Sequence, residues 1–250
     1  MPGDFNREIM NEVAHRPWPL PDGPWLMTQT WNDLLFAHWP VDPSGLREHV
    51  PDAFPLDLFE SRAWVGVVPF VMTNVGPRGV PSLPWVSEFP ELNVRTYVRA
   101  GGKPGVFFFS LDAGSLAAVT AARTLLNLPY YSASMEAQPW GDGVSYKSVR
   151  SDKSGARFEA TYQPEGRVFA PHPGTLDYFL TERYCLYHLD HRGHPYRLDI
   201  HHPLWPLQHA QASIAANTML DVHRLTPLEP SPLLHFAKRQ DMVAWAPQRL

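Results

Sequence analysis

Several residue types that carry common enzyme chemistries are scarce in this chain. Its 250 residues include one cysteine, Cys185, and four lysines, and only 18% of the residues are charged. A single cysteine excludes an internal disulfide and is typical of a reducing compartment. No apolar run approaches the ~18 residues of a membrane span, and residues 1–24 have no apolar core of the signal-peptide type. We therefore expect a cytoplasmic protein with no membrane partner.

The sequence also lacks the short motifs of several large enzyme classes. It contains no Gly-x-Ser-x-Gly, no phosphate-binding loop, no Gly-x-Gly-x-x-Gly after a strand and no His-Glu-x-x-His. Their absence argues against a serine hydrolase, a nucleotide enzyme and a zinc protease. The net charge of −4 offers no basic surplus for nucleic acid. We expect no cofactor and no nucleic-acid partner.

The four lysines are poor candidates for imine chemistry, which requires a lysine with a lowered pKa in an apolar pocket or beside another cation. Lys103 and Lys153 fall in predicted turns, where we expect them to be solvated. Lys147 lies on a predicted hairpin strand and could face inward, although no second cation is near it in sequence. No lysine is therefore a strong nucleophile candidate.

Histidines are concentrated in one region, with seven of the twelve between His172 and His209. A metal site needs two to four ligands that converge on one ion. On a predicted hairpin, His188 lies on one strand while His201 and His202 point to opposite faces, so these side chains do not converge. We predict structural or exposed histidines and no metal site. Cys185, within an apolar strand, is predicted to be a buried, unreactive thiol.

The clearest positive signal is strict alternation along residues 91–99. Leu92, Val94, Thr96 and Val98 share one face, and the other face carries Glu91, Asn93, Arg95, Tyr97 and Arg99. A period of two indicates a β-strand. The next strand, 106–112, is mostly apolar, so the pair is predicted to be central in a sheet. If the polar row faces inward, it lines a cavity for a small polar molecule; a solvated polar face is the equal alternative.

The rest of the pattern is strand-rich. Further strands are predicted at 26–39, 62–74, 144–150, 156–163, 184–189, 196–202 and 233–245. Residues 205–217 are ambiguous between strand and helix. Helices are predicted at 44–50, at 174–180 with Thr175 near the start, and after Ser115, where apolar residues recur at helical spacing to Leu126. Twenty-seven prolines favour strands and turns over long helices. We predict an N-terminal arm, 1–25, and one β-rich α+β domain, 26–250.

The order of motifs resembles the bacterial YqjF-like family of uncharacterised proteins, a domain of unknown function that is a distant relative of acetoacetate decarboxylase. The motifs that carry the resemblance span residues 26 to 246 and are His38-Trp39-Pro-Val-Asp42-Pro43, Ala63-Trp-Val-Gly-Val-Val-Pro-Phe70, Glu91-x-Asn93-x-Arg95-Thr96-Tyr97, Phe109-Ser-Leu-Asp112, Glu182-Arg-Tyr184 and Trp205-Pro-Leu207. The resemblance implies an acetoacetate decarboxylase-like, cone-shaped β-barrel or sheet with a few helices around a small-molecule pocket. It implies no particular reaction.

The resemblance also bears on the site. Acetoacetate decarboxylases carry a glutamate at a place similar to Glu91, and a helix with arginine that leads to a Pro-Lys-Lys sequence supplying the Schiff-base lysine. Here Arg123 and Pro129 match, but Tyr130 and Tyr131 replace both lysines. A phenol cannot form an imine, so lysine-dependent decarboxylation is not expected. Tyrosine can still donate a proton or bind a carbonyl oxygen.

Three functions stay open from the sequence. The first is a protein that binds a small polar or carboxylate-bearing molecule through Asn93, Arg95, Tyr97 and Arg123. The second is a lyase or hydrolase acting on a keto or carboxylic acid, with Glu91 and Tyr130 as catalytic candidates. The third is a non-catalytic structural protein with an internal ion-pair network. A homo-oligomer is compatible with each.

Buried charges need partners, and this requirement gives an expectation about the strand itself. We expect Glu91 and Arg95 to pair with each other or with Glu182, Arg183 or Arg78. Glu182 and Arg183, at a helix-to-strand junction, are expected to form an ion pair that fixes a turn.

Overall fold

The computed structural model describes residues 4–79, 88–115 and 127–250. In these ranges twelve strands form one sheet. The strands are β1 (Met27–Val41), β2 (Ala63–Pro77), β3 (Phe89–Ala100), β4 (Lys103–Ala113), β5 (Tyr130–Trp140), β6 (Gly143–Arg150), β7 (Arg157–Phe169), β8 (Cys185–Leu189), β9 (Pro195–His201), β10 (Leu207–Asn217), β11 (Leu233–Ala244) and β12 (Gln248–Arg249). The described α-helices are short: α1 (Asp4–Asn11), α2 (Pro43–Arg47) and α3 (Leu176–Thr181).

The sheet closes on itself at two places. Its order is β12-β9-β8-β4-β3-β2-β1-β11-β10-β7-β6-β5, and additional pairings join β9 to β11 and β4 to β5. The polar strand β3 is antiparallel to both of its neighbours, β2 and β4. The prediction that 91–99 is a central strand is therefore confirmed. The prediction of a β-rich α+β fold with few helices is confirmed as well.

Pro69 lies inside β2, where a missing N–H should disturb the ladder. The disturbance is a bulge on the neighbouring strand: β1 advances five residues from Asn32 to Ala37, while β2 advances four from Val71 to Val67. Asp33, in the bulge, has a φ of 49°, a conformation that aspartate tolerates better than most residues. The proline is thus accommodated without ending the strand.

The central sheet separates two apolar regions, because alternate residues of each strand face opposite sides. One side holds the larger core, which includes Leu92, Val94, Tyr146 and Phe158. The other side is lined by Leu34, Phe36, Val68, Phe70, Leu111 and Trp205. Glu91, Asn93 and Arg95 lie on this second side, since Asn93 pairs with Val68 and Leu111 across the ladder.

Most predicted elements agree with the structure. β6–β7 and β8–β9 form the expected hairpins, and Thr175 caps α3 by accepting a hydrogen bond from the Tyr178 N–H. The ambiguous segment 205–217 is mostly strand. Strand β5 was not predicted, although Tyr131, Ala133, Met135 and Ala137 alternate with more polar residues. The helix predicted after Ser115, and Arg123 within it, lie outside the described residues.

The N-terminal segment packs on the sheet. Ile9 of α1 is buried with Val243 and Trp245, and Arg16 donates hydrogen bonds to the Ile200 carbonyl and the His201 ring. Among the described residues no helix is long and apolar enough to cross a membrane.

Candidate functional site

An internal cavity of about 110 Å³ lies on the second side of the sheet. Most of its wall is apolar, with Leu34, Phe36, Val68, Phe70, Leu111 and Met242 among the lining residues. The polar residues in the wall include Glu91, Asn93, Arg95 and Tyr130, which the sequence predicted as site residues. A dry cavity of about 150 Å³ can hold benzene, so this cavity suits a molecule of similar or smaller size.

Glu91 and Tyr130 form a hydrogen-bonded pair in the cavity wall. The Tyr130 hydroxyl donates to Glu91 Oε2 at 3.0 Å, and Glu91 is only 2% exposed. Burial raises the pKa of Glu91 to about 8, with a smaller contribution from the charge of Asp112. Burial and the neighbouring Glu91 also raise the pKa of Tyr130 well above its usual value. At neutral pH both groups therefore carry their protons.

Three other lining residues hold polar atoms that lack hydrogen-bond partners within the described part of the chain. They are Asn93 Oδ1, Arg95 Nε and Trp205 Nε1, and all three atoms are buried. A buried polar atom without a partner costs roughly 1–3 kcal/mol. One acceptor and two donors in the wall of one small cavity can be satisfied by a ligand that brings both an acceptor and a donor.

Tyr97 points to the end of a helix. Its hydroxyl donates to the Leu180 carbonyl at 2.8 Å, and Arg95 Nη2 donates to the same oxygen at 3.1 Å. Two donors thus satisfy a carbonyl in the last turn of α3. Tyr97 is not among the cavity-lining residues, so only Glu91, Asn93 and Arg95 of the predicted row reach the cavity.

His38 also contacts the Tyr97 hydroxyl and holds it in place. Its Nε2 lies 2.7 Å from the Tyr97 hydroxyl; because that hydroxyl donates to Leu180, Nε2 must carry the proton and donate. The ring needs the glycine at position 66, since a Cβ there would lie 2.9 Å from His38 Cδ2. Burial and the nearby Arg95 lower the pKa of His38. Gly66 and neutral His38 thereby hold Tyr97 in place.

The expected ion pairs are wrong. Among the described residues, neither Glu91 nor Arg95 forms an ion pair, and Glu182 and Arg183 do not pair with each other. Glu182 accepts hydrogen bonds from the Trp205 backbone N–H and the Tyr184 hydroxyl. Arg183 instead pairs with Asp57 at 2.6 Å.

Asp57 also pairs with Arg99 at 3.1 Å. Alternation placed Arg99 in the row of Glu91, but it lies at the exposed end of β3 and outside the cavity. The polar row therefore divides into a cavity half, residues 91–95, and a supporting half, residues 97–99.

The four lysines all lie in described parts of the chain. Lys103 is buried, and its Nζ contacts Asp199 Oδ1 at 2.6 Å, so the expectation that it is solvated is wrong. Lys147, Lys153 and Lys238 are exposed. The possibility that Lys147 faces inward is also wrong, because it lies opposite Glu159 on the outer face of the β6–β7 hairpin. No lysine is among the lining residues that the structure describes.

The histidines of segment 172–209 contact different partners. His201 Nε2 lies 2.6 Å from the Ile9 carbonyl, whereas His202 Nε2 lies 3.2 Å from the Arg183 carbonyl. Within residues 4–79, 88–115 and 127–250, no three His, Cys, Asp or Glu side chains are arranged to hold a metal ion. Cys185 is buried, burial raises the pKa of its thiol to about 11, and its Sγ donates to the Pro104 carbonyl.

Sequence reasoning missed several cavity residues that are distant in sequence from β3, among them Trp205 and His202. Trp205 packs edge-on against Phe36, with 4.9 Å between ring centroids. His202 lies in the wall, and burial lowers its pKa to about 4, so it is neutral at pH 7. Trp205-Pro-Leu207 was visible as a motif, but only the pairing of β10 with β11, and of β11 with β1, brings it to the cavity.

Comparisons with known proteins agree with this geometry. The model of a family described as an uncharacterized conserved protein matches residues 28–241. The chain belongs to this family. It is 49% identical over 226 residues to the uncharacterized protein YqjF of Bacillus subtilis, covering 90% of this chain and 93% of YqjF.

Solved structures show the same fold at low identity. An acetoacetate decarboxylase from Legionella pneumophila superposes with a TM-score of 0.65 at 15% identity, covering 97% of this chain and 94% of that one. The enduracididine biosynthesis enzyme MppR, complexed with pyruvate, gives 0.60 at 12% identity, covering 94% and 93%. An acetoacetate decarboxylase-like enzyme from Sphingomonas wittichii gives 0.60 at 12%, covering 94% and 97%. The chain therefore has an acetoacetate decarboxylase-like fold.

Proposed function

We propose that this protein binds a small carboxylic acid in the internal cavity and does so without a covalent bond to lysine. The observation that carries the proposal is the set of three unpartnered polar atoms, on Asn93, Arg95 and Trp205, in the described wall of one small apolar cavity. A carboxylate would accept from the Arg95 Nε–H and the Trp205 Nε1–H. A hydroxyl or amino group on the same molecule would donate to Asn93 Oδ1.

The state of Glu91 is compatible with an anionic ligand. An ionised glutamate in the same cavity would repel a carboxylate, but the raised pKa of about 8 keeps Glu91 neutral at pH 7. A neutral carboxyl group has an O–H that can donate to the ligand. Arg95 adds a positive charge beside Asn93 and Trp205, which favours an acid over a neutral molecule of the same size.

Two similar structures support the ligand class. MppR has been solved with pyruvate, and the Legionella protein is named as an acetoacetate decarboxylase. Pyruvate and acetoacetate are both oxo acids. Pyruvate has as many non-hydrogen atoms as benzene, so its size suits a cavity of this volume. We therefore choose pyruvate and its hydroxy analogue, lactate, as the first compounds to test.

The binding test compares two arginines of one strand. Arg95→Met removes the unpartnered Nε from the cavity, while Arg99→Met removes an exposed arginine of the same strand face and serves as the matched control. We expect calorimetry at pH 7 to show pyruvate or lactate binding to the wild type and to Arg99→Met. Arg95→Met should bind at least about tenfold more weakly, as expected for a lost hydrogen bond to a charged group.

The same measurements can also contradict the binding proposal. If the wild type binds neither acid at millimolar concentration, and Arg95→Met lowers the free energy of unfolding by several kcal/mol, Arg95 has a structural function only. That result would favour the third hypothesis, a protein without a ligand.

A separate experiment tests whether any lysine forms a covalent bond with the acid. Lys103 is held by Asp199, and the other three lysines are exposed, so none has the apolar pocket that would lower its pKa. Borohydride treatment in the presence of pyruvate should therefore leave the intact mass unchanged. A trapped adduct at Lys103 or Lys147 would contradict the proposal.

A second candidate function is acid–base chemistry on the same class of molecule. One observation favours it: Glu91 has a pKa near 8 and contacts Tyr130, so it can both donate and accept a proton close to neutral pH. Turnover of an oxo acid that is abolished by Glu91→Gln, with binding retained, would establish it. Tight binding of the acid without turnover would leave the binding function alone.

A further inference from the structure

Strand β4 divides its pairing between two different neighbours. Val106 and Phe107 pair with β8, whereas Leu111, Asp112 and Ala113 pair with β5, both in parallel. Within the described ranges, residues 108–110 have no strand partner on this side. The sheet is therefore open at its middle, directly beside the cavity-lining residue Phe108.

A β-bulge lies at the same place. Val94 pairs with Ser110 and Arg95 pairs with Phe108, so Phe109 is an extra residue on β4. Bulges bend a strand and interrupt its ladder. The opening between β8 and β5 is thus built into the register of β4, and it does not depend on one side chain.

A short segment spans this opening. Residues 127–129, which we name the strap, lead directly into β5 along the chain. In space they lie beside the last residue of β8, Leu189. Asn127 Nδ2 donates to the Leu189 carbonyl at 2.6 Å, and the Pro129 carbonyl accepts from the Leu111 N–H at 3.0 Å. The first of these bonds is made by an exposed side chain, so it can break at low cost.

Two spaces meet at the strap. The internal cavity lies on one side, and a surface groove of about 310 Å³ lies on the other. The groove is lined by aromatic side chains that include Phe107, Phe109 and Tyr187. Phe108 and Leu128 line both spaces, so these two side chains form the partition between them.

We propose that the strap is the gate through which the ligand enters the cavity, with Leu128 and Phe108 as the moving side chains and the Asn127–Leu189 hydrogen bond as the latch. Most of the other cavity residues in the described chain lie on paired strands, whose opening would break many backbone hydrogen bonds. At the strap, the gate opens when the exposed Asn127–Leu189 hydrogen bond breaks and the Leu128 and Phe108 side chains rotate. The hydrogen bond from the Leu111 N–H to the Pro129 carbonyl is kept. What passes through the gate rests on the proposed function, but the gate itself can be tested without a ligand.

The test measures entry of a small reagent. Val68 lines the cavity opposite Asn93, and a Val68→Cys variant places a thiol there. Cys185 is replaced by alanine in every protein tested, because it is also one of the cavity-lining residues. The control thiol is Val94→Cys in a second protein, because Val94 belongs to the larger core on the other side of the sheet and does not line the cavity. Mass spectrometry can follow the labelling of each thiol by methyl methanethiosulfonate in parallel samples.

Three further substitutions are compared in the Val68→Cys protein and in the Val94→Cys protein. Leu128→Ala opens the partition. Asn127→Asp removes the donor of the latch while keeping a residue that tolerates the positive φ of 50° at this position. Met242→Ala enlarges the cavity away from the strap and is the control.

We expect Asn127→Asp to accelerate labelling at position 68 by at least about fivefold, the factor expected for one lost hydrogen bond. Leu128→Ala, which removes part of the partition itself, should accelerate it by at least as much. Labelling at position 94 should stay unchanged, and Met242→Ala should have a smaller effect at position 68 than either gate variant. The proposal is overturned if the gate variants label position 68 no faster than Met242→Ala does. Parallel acceleration at position 94 would also overturn it, since it would show that labelling follows unfolding.

Failure of the gate is distinguishable from failure of the proposed function. Labelling at position 68 reports access to the cavity whether or not any acid binds, whereas calorimetry with pyruvate and lactate reports binding whichever route leads in.

Discussion

Two buried carboxylates lie on neighbouring strands, and within the described residues one of them is paired with a cation while the other is not. Asp112 on β4 is fully buried and is paired with Arg150 through two nitrogens, at 2.7 and 3.0 Å. Glu91 on β3 is equally inaccessible, yet within the described residues its one side-chain hydrogen-bond partner is the Tyr130 hydroxyl. The two side chains face opposite sides of the sheet, since Leu92 is the residue that pairs with Asp112.

The Asp112–Arg150 ion pair belongs to a larger cluster of contacting side chains. Arg150 also donates to Ser110 Oγ at 2.8 Å, His223 Nε2 lies 3.0 Å from the same hydroxyl, and the guanidinium stacks on Tyr131 at 4.0 Å. Glu91 instead borders a cavity. One buried carboxylate is thus paired with a cation, whereas the next one is neutral and lies beside a cavity. In our proposal the first stabilises the fold and the second belongs to the ligand site.

The largest expected effect is on the paired carboxylate. Arg150→Met leaves Asp112 buried without its cation, and breaking a buried ion pair on one side typically costs roughly 3–5 kcal/mol. Urea unfolding at pH 7 should show a loss of this size. Replacing both partners, as in Arg150→Met with Asp112→Leu, should recover most of it. A loss below about 1 kcal/mol, the level of exposed pairs, would remove the contrast with Glu91.

The second prediction concerns how Glu91 makes the free energy of unfolding depend on pH. Its folded pKa of about 8 is above the usual 4.5, so between these values the unfolded chain has released the proton while the folded protein keeps it. The Glu91 contribution to the free energy of unfolding therefore falls as pH rises from 4.5 to 8. One pKa unit is worth about 1.4 kcal/mol, which makes the total a few kcal/mol.

Histidines act in the opposite direction over part of this range. The pKa values of His201, His202 and His223 are lowered to about 4 by burial, so their contribution rises with pH up to 6.5. The informative quantity is thus the difference between wild type and Glu91→Gln, in which the histidine terms cancel. Glu91→Gln should gain stability relative to wild type as pH rises to 8, and a flat difference would contradict the raised pKa.

A smaller effect is expected at Ser110. Ser110→Ala removes a hydroxyl that contacts both Arg150 and His223, but Arg150 keeps its bonds to Asp112. The expected loss is about 1–2 kcal/mol, as for a buried polar group that loses one partner, measured by thermal or urea unfolding. A loss as large as that of Arg150→Met would mean that the serine, and not the ion pair, holds this cluster together.

The smallest effect is expected at Lys147, which lies outside both buried sites. Lys147→Ala should change the free energy of unfolding by less than about 0.5 kcal/mol and should leave acid binding unchanged. A clear loss of binding would show that this lysine reaches the ligand, and the cavity residues alone would then not make up the site.

The sequence predicted the sheet and half of the site because both depend on local alternation. Residues 91–99 alternate strictly, so their strand and the shared face of Glu91, Asn93 and Arg95 could be read directly. Alternation does not show where along a strand the cavity ends. Tyr97 and Arg99 share that face, but contact with α3 and exposure at the strand end take them out of the cavity.

Contacts between segments that are distant along the chain could not be predicted from the sequence. Trp205 and His202 enter the cavity through long-range strand pairing, and Asp57 takes Arg183 away from Glu182 by an ion pair across 126 residues. Lys103 was wrongly expected in solvent because a turn position suggests exposure, whereas Asp199 on β9 draws its ammonium group into a buried contact.

The proposed function requires Glu91 to be neutral at pH 7 beside the three unpartnered atoms of the cavity, and titration tests this requirement most directly. Carbon-13 NMR of the glutamate carboxyl carbons, with Glu91 assigned by comparison with Glu91→Gln, gives the pKa of this one group. We predict a midpoint of about 8, which should change when pyruvate binds. A midpoint near the usual value of 4.5, unaffected by pyruvate, would contradict both the neutral carboxyl group and its place beside a ligand.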